Sequence, residues 1–202
     1  MAVIRLRDSY DQVPDFSVTE MEQGGSAPLR IETAGFSDLR AAIDIEHDRS
    51  RKVYVDTARG ITQQDIDDLG WGEGRINEYE RRYLENPNAR MFVAREGDRI
   101  VGYAAVMLKN DGAYYVDKLY TAESGKGWGT HLLSTAERFL HEVFGASKAY
   151  VVVTENNQEA LDFYLGRDYG YVCDIRPGTD PEHYGLAAKL AFPKKLLVKS
   201  LV

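Results

Sequence analysis

The stretch from Ala113 to Phe144 constrains the fold of this chain more than any other. It begins with an apolar, aromatic segment, continues through a short loop that holds Gly125, Gly127 and Gly129, and ends in an amphipathic helix pattern. A strand that leads through a glycine-rich turn to a helix N-terminus gathers free backbone N–H groups and the positive end of the helix dipole. This arrangement suits a phosphate group, although a glycine cluster by itself also fits a plain tight turn.

The length and composition are those of one medium-sized globular domain. The chain has 202 residues, of which 44% are hydrophobic and 28% charged, and this is enough to bury a substantial core. The formal net charge of −7 argues against nucleic acid as a partner, since a basic face would be expected for it. The single cysteine, Cys173, excludes an internal disulfide and a zinc site with several thiolates, and the histidines show no metal-binding spacing. With no long apolar run and no signal-peptide pattern, we expect a cytoplasmic protein without a membrane segment or a metal.

The order of the patterns predicts an N-terminal arm at 1–28, a folded domain at 29–192 and a tail at 193–202 that is either a further strand or an appended contact segment. The predicted helices are Ser37–Arg49, a short helix capped by Thr62, Glu73–Asn86, the helix of the glycine stretch and Gln158–Leu165. The predicted strands are Leu29–Thr33, Arg90–Arg95, Arg99–Leu108, Ala113–Thr121, Ala149–Thr154, Tyr171–Ile175 and Tyr184–Phe192. Short turns indicate antiparallel pairing of the early strands, and the later β-branched run indicates a parallel strand reached through a helix. The chain is therefore predicted to be α/β (α+β), with a mixed, mostly antiparallel central sheet of six to seven strands flanked by helices.

A second group of residues follows the predicted strand Ala149–Thr154. It consists of Asn157, Ala160, Phe163-Tyr164 and Gly170-Tyr171. Together with the glycine loop, this group resembles the GNAT superfamily of acetyl-coenzyme A dependent N-acetyltransferases. The family's phosphate motif, Arg/Gln-x-x-Gly-x-Gly/Ala, is similar to the run from Ser124 to Gly129, and its later Asn-x-x-Ala-x-x-x-Tyr pattern is similar to the residues from Asn157 onward. The resemblance covers Ala89 to Phe192, and the order of the elements matches.

The resemblance implies a GNAT-like acyl-CoA acyltransferase fold with acetyl-coenzyme A as cosubstrate, bound in a wedge where the strands Ala113–Thr121 and Ala149–Thr154 diverge. The implied cofactor-binding residues are Leu119, Tyr120, Thr121, Gly125, Lys126, Gly127, Trp128, Gly129, Thr130 and Asn157. The first three would pair with the pantetheine arm through their backbone, the loop would hold the pyrophosphate, and Asn157 would bind the arm from the other side. Two features depart from the family: Ser124 stands where Arg or Gln is preferred, and the loop before Gly125 is shorter than usual. Phosphate binding is then expected to depend on Lys126 or on a basic residue from elsewhere in the chain.

The resemblance also implies catalytic roles. Tyr164 matches the family tyrosine near the cofactor sulfur, where a phenol can protonate the leaving thiolate, and the alternative for it is a core aromatic residue. A backbone N–H near Leu119 or Tyr120 would polarise the thioester carbonyl. Asp117 and Glu155 are the best placed carboxylates for a general base acting through water, and each could equally be a solvated or salt-bridged side chain.

The implied function is transfer of an acetyl group to a primary amine of a small molecule or peptide, by direct attack in a ternary complex. Between Ser37 and Pro87 the chain has twelve acidic and eight basic residues. This segment corresponds to the acceptor side of the family, so its charge favours a cationic acceptor. The alternative is a non-catalytic acyl-coenzyme A binding or sensing module, which Ser124 and the short loop motivate. The sequence leaves a homodimer open.

Overall fold

The computed structural model of the protein describes residues 18–21, 28–176 and 192–202. The strands are β1 Val18–Met21, β2 Leu29–Thr33, β3 Ala89–Glu96, β4 Arg99–Leu108, β5 Tyr114–Thr121, β6 Lys148–Thr154, β7 Gly170–Ile175 and β8 Lys194–Ser200. The α-helices are α1 Leu39–Tyr54, α2 Gln63–Asp67, α3 Glu73–Tyr79, α4 Trp128–Glu142 and α5 Gln158–Leu165. Short 3-10 turns at Phe36–Asp38 and Thr57–Arg59 and a π-helical turn at Glu80–Leu84 complete the helical segments of this part of the chain.

The described strands form one sheet in the order β1-β2-β3-β4-β5-β6-β8-β7. Strands β1 to β5 pair antiparallel in sequence order, β6 runs parallel to β5, and β8 lies antiparallel between β6 and β7. The predicted mixed, mostly antiparallel sheet flanked by helices is confirmed, and its described strands number eight where six to seven were predicted, because β1 and β8 come from the arm and the tail. Of the two interpretations of the tail, the strand is the one observed, and the arm contributes β1. Apart from Phe192, the predicted strand Tyr184–Phe192 lies outside the described residues.

Helices cover both faces of the sheet and bury two cores. Helix α4 packs on one face through the apolar stripe that its sequence predicts, which consists of Leu132, Leu133, Ala136, Phe139 and Leu140. Helices α1, α2 and α3 cover the other face, where the core includes Leu39, Ile43, Tyr79, Tyr83 and Tyr103. A helix with a wide apolar stripe needs such a sheet to bury it. None of the described helices is both long and apolar enough to cross a membrane.

The starts and ends of the first helices differ in detail from the prediction. Ser37 is not the cap of α1; the carboxylate of Asp38 accepts from the backbone N–H of Gly35 at 2.9 Å, and the helix continues to Tyr54 instead of ending near Arg49. The cap at Thr62 is confirmed, because its hydroxyl accepts from the N–H of Asp65 at 3.2 Å. Asp38 is the N-cap residue of α1, but its side chain makes no capping hydrogen bond to the helix, because its carboxylate is engaged by the N–H of Gly35 and by the guanidinium of Arg95.

Strand β5 carries an irregularity that opens the sheet. On β4, Ala105 pairs with Lys118 and Val106 with Val116, so Asp117 is an extra residue on β5. Such a bulge bends its strand and interrupts the ladder. On the other side of β5, the pairing with β6 is confined to Tyr115 and Tyr150. Beyond that pair β5 and β6 diverge, and the space between them is the wedge that the resemblance implies.

Candidate functional site

The wedge between β5 and β6 holds a cavity of about 270 Å³. Residues Val116 to Thr121 of β5 form one wall, and Val152 to Thr154 of β6 form the opposite wall. Gly129 at the start of α4 also lines the cavity, as do Asn157 and Tyr164 from α5 and its cap. Elements that are far apart in sequence therefore meet at one concave site, as ligand sites in sheets with diverging strands commonly do.

Of the predicted cofactor-binding residues, five line this cavity: Leu119, Tyr120, Thr121, Gly129 and Asn157. The side-chain oxygen of Asn157 also caps α5, accepting from the N–H of Ala160 at 3.1 Å. The other five, Gly125, Lys126, Gly127, Trp128 and Thr130, belong to the adjoining loop and the first turn of α4. The structure thus brings the residues of both predicted motifs to the same end of the wedge.

Two glycines give the loop its shape. Gly125 and Gly127 have φ angles of 76° and 78°, in the left-handed region that favours glycine, and Gly127 is the N-cap of α4. A Cβ atom on Gly125 would meet nothing within 4 Å, so the backbone there is open to a ligand. Helix α4 begins at this end of the wedge, where Gly129 lines the cavity, so the positive end of the helix dipole lies beside the site. These features fit an anion such as the pyrophosphate of coenzyme A.

Tyr164 is a buried side chain of α5. Its ring packs edge-on against Phe163 and Tyr169, with centroids 5.2 Å apart in each pair. Burial, with a contribution from Glu137, raises the pKa of its phenol well above the usual value. The hydroxyl is therefore protonated throughout the physiological range and can act as a hydrogen-bond donor at the cavity.

The two predicted base candidates lie in very different places. Glu155 is exposed after β6, outside the cavity lining, and its backbone N–H donates to the carbonyl of Pro193 at 2.8 Å. Asp117 lines the cavity but is buried beside Lys109 at 2.8 Å and Arg82 at 3.0 Å. Burial alone would raise the pKa of Asp117, but Lys109 and Arg82 outweigh it and hold this pKa well below its usual range. A carboxylate held ionised in this way is a weak proton acceptor.

Comparison with known proteins identifies the family. The family model described as the Acetyltransferase (GNAT) family matches residues 60–171, more than half of the chain. The chain belongs to the GNAT acetyltransferase family. Uncharacterized N-acetyltransferases of Mycobacterium bovis and Mycobacterium tuberculosis are 32% identical to it over 88 residues, which make up 41% of this chain. The match spans 53% of those relatives, so the chain covers about half of their length.

Solved structures show the same fold. The PaiA N-acetyltransferase of Thermoplasma acidophilum in complex with coenzyme A superposes with a TM-score of 0.65 at 15% identity, over 85% of this chain and 98% of that one. The spermidine N-acetyltransferase SpeG of Vibrio cholerae, solved as a mutant, gives a TM-score of 0.58 at 15% identity over 86% and 94%. At this identity the likeness concerns the fold, which is that of GNAT acyl-CoA acetyltransferases.

Sequence reasoning missed a buried carboxylate of this GNAT domain, Glu46 of α1. It is only 3% exposed, accepts from the hydroxyls of Tyr79 and Tyr103, and pairs with Lys118 at 2.7 Å. Burial would raise the pKa of Glu46, yet Lys118 and the two phenols outweigh burial and lower it. A signal was present, because Glu46 lies seven residues after Leu39 on the apolar stripe of α1. A charged residue on such a stripe indicates a buried partner.

A second missed residue is Arg49, one turn further along α1. Its guanidinium donates to the hydroxyl of Ser124 at 3.1 Å and to the carboxylate of Glu159 at 2.9 Å. The hydroxyl of Ser124 in turn donates to Glu159. Arg49 thus lies beside the loop position where the GNAT motif usually carries its own Arg or Gln. The departure at Ser124 was the only signal for it in the sequence.

Proposed function

We propose that this protein is an N-acetyltransferase that transfers the acetyl group of acetyl-coenzyme A to a primary amine of a small molecule or peptide. The observation that carries this proposal is the wedge, where Leu119 to Thr121, Gly129, Asn157 and Tyr164 line one cavity. Three features that acyl transfer from a thioester can use meet at this site. The phosphate loop and the unpaired strand edge can bind the cosubstrate, and the buried phenol can donate a proton.

The residues present fit the cosubstrate. Beyond Tyr115 the edge of β5 that faces β6 is free of ladder pairing within the described sheet, so its backbone groups can pair with the amides of a pantetheine arm. The glycine loop supplies N–H groups for the pyrophosphate, and Asn157 closes the opposite side. Acetyl-coenzyme A supplies the acetyl group in activated form, as a thioester.

The side chains at the cavity support direct attack by the amine. The amine nitrogen bonds to the carbonyl carbon as the carbon–sulfur bond breaks, and the leaving sulfur takes a proton. Tyr164 is the donor we assign to that proton, and a backbone N–H near Leu119 or Tyr120 polarises the carbonyl. Cys173, the only cysteine of the chain, is exposed on β7 and does not line the cavity. A thiol that could form an acyl-enzyme is therefore lacking at this site, which favours a ternary complex.

The attacking amine must lose a proton, and neither predicted carboxylate is well suited to take it directly. Among the described residues, the cavity is lined by six basic side chains, Arg49, Arg75, Arg82, Lys109, Lys118 and Lys194, and three acidic ones, Glu78, Asp117 and Glu159. A surplus of positive charge lowers the pKa of an amine bound beside it, and so favours the neutral, nucleophilic form. We therefore assign the proton to water, with Asp117 as a fixed negative charge and not as the direct base.

The charge of the acceptor is a separate part of the proposal. The acidic balance of residues 37–87 predicts a cationic acceptor, and spermidine is the named substrate of one structural neighbour. However, Glu78, the acid of this segment that lines the cavity, pairs with Arg75 at 3.3 Å, and Glu46 pairs with the cavity-lining Lys118. The cationic acceptor thus stays a prediction from sequence charge, to be decided by a panel of amines that differ only in a second charge.

Thiol release during incubation with acetyl-coenzyme A and varied amines tests the proposal. We expect release only when an amine is present, and a rate that depends on both concentrations in the pattern of a ternary complex. The alternative function is an acyl-coenzyme A binding module, which the departure at Ser124 favours. Cofactor binding without thiol release for any amine would establish that alternative, and no binding at all would refute both.

A further inference from the structure

We propose that Arg49 of α1 binds the pyrophosphate of coenzyme A in place of the Arg or Gln that the family's phosphate motif carries at the position of Ser124. This inference rests on the proposed function and adds a residue that the family motif does not contain. Arg49 and Ser124 are 75 positions apart in the sequence, yet they are in direct hydrogen-bond contact at 3.1 Å. Ser124 immediately precedes Gly125, the first of the loop glycines.

The size of Ser124 makes this arrangement possible. An arginine at position 124 would place a second guanidinium where that of Arg49 now lies, and two like charges at that distance repel. A serine leaves room for Arg49 and offers it an oxygen acceptor. The serine at position 124 and the guanidinium that α1 supplies beside it are therefore two parts of one arrangement.

Glu159 holds Arg49 in position when no cofactor is bound. Its carboxylate pairs with the guanidinium at 2.9 Å and accepts the hydroxyl proton of Ser124. The side chain of Arg49 is 18% exposed and that of Glu159 is 60% exposed, so the pair lies at the solvent edge of the cavity. Because an exposed pair of this kind is worth little, a doubly charged pyrophosphate can displace Glu159 as the partner of Arg49.

Other cations near the loop are less suited to this role. Lys126 is exposed and lies 3.8 Å from Glu123. Arg167 lies over the ring of Phe163 and donates to Thr130 at 2.6 Å and to the carbonyl of Phe163. Arg167 therefore orients the first turn of α4, whereas Arg49 both contacts the loop and lines the cavity.

The test compares Arg49→Gln with Glu159→Gln by calorimetric titration of coenzyme A and of dephospho-coenzyme A. Both variants break the same ion pair, but only the first removes the cation. We expect Arg49→Gln to weaken binding of both ligands by about tenfold or more, as for a lost charged hydrogen bond. Glu159→Gln should leave the affinity unchanged or raise it. Arg40→Gln, at the far end of α1, controls for loss of a positive charge on the same helix.

The double variant Arg49→Gln/Ser124→Arg restores the cation from the loop and should regain most of the lost affinity. The inference is overturned if Arg49→Gln binds like the wild type, if Glu159→Gln is weakened as much as Arg49→Gln, or if the loop arginine fails to rescue. A loss for coenzyme A but not for dephospho-coenzyme A would assign Arg49 to the 3′-phosphate and equally refute the pyrophosphate. A wild-type protein that binds neither ligand would instead refute the proposed function.

Discussion

Asp117→Asn tests the structural role that the buried ion pairs of this carboxylate indicate. The carboxylate lies between Lys109 and Arg82 and also accepts from the hydroxyl of Tyr83. The side chains of Asp117 and Lys109 are 7% and 12% exposed, so solvent can do little to replace the lost partner. Removing one member of a buried pair costs about 3 to 5 kcal/mol. Because asparagine keeps some hydrogen bonds, we expect about 3 kcal/mol, or a melting temperature lower by roughly 6 to 12 °C for a chain of this size.

The pH dependence of this loss identifies its cause. The pKa of Asp117 is lower in the folded protein than its value of about 3.9 in an unfolded chain. Its stabilisation is therefore complete above the unfolded pKa and is lost as the pH falls through the folded pKa. Urea denaturation of wild type and variant should show a constant difference between about pH 5.5 and 8 that shrinks only in more acidic solution. A difference in unfolding free energy that changes between about pH 5.5 and 7.5 would refute this assignment. The control is Asp44→Asn, which breaks an exposed pair with Arg40 and should lower the unfolding free energy by only ~0.5 kcal/mol. An equally small loss for Asp117→Asn would also refute the assignment.

Three further substitutions test the site. Tyr164→Phe should lower kcat in steady-state assays while the KM for acetyl-coenzyme A stays nearly constant; an unchanged kcat would remove Tyr164 from the acid role. Gly127→Val should abolish binding of coenzyme A in calorimetry, because valine is strained at a φ of 78°. The control Gly60→Ala, at a φ of 71° and outside the cavity lining, should lower stability alone. Glu46→Gln leaves Lys118 without its charge partner and should lower the free energy of unfolding at neutral pH by about 3 kcal/mol; a change below about 1 kcal/mol would contradict the buried pair.

Local patterns in the sequence were enough to predict the elements that carry the motifs. The stripe of α4 needs only its own 3.6-residue period, and the short helix Gln158–Leu165 was predicted with the bounds that α5 has. The left-handed glycines lie between a strand and a helix whose patterns are both clear. Each of these features depends on residues within about one or two helical turns of each other, where propensity and capping decide the backbone.

Contacts between distant segments could not be predicted in this way. Glu46 was assigned only to an acidic region, because its partners Tyr103 and Lys118 come from β4 and β5. The bulge at Asp117 depends on the register between two strands, which turn signals fix only to within a residue. The sequence did not decide whether residues 194–200 form a strand or an appended contact segment, because a short apolar run fits both. The strand is defined by its antiparallel pairing with β6, which the sequence does not show.

Helix α1 connects the two walls of the wedge, and this has a testable consequence. Glu46 pairs with Lys118 on β5, and about two turns later the backbone carbonyl of Val53 accepts from the side chain of Asn156 at 2.9 Å, in the loop between β6 and α5. If α1 sets the spacing of the walls, Asn156→Ala should weaken binding of coenzyme A by roughly two- to tenfold, the range for one lost hydrogen bond. Because this bond is exposed, global stability should change little, and hydrogen exchange should increase in the loop and not in the core. Unchanged affinity together with faster exchange would show that the cavity keeps its shape without this contact.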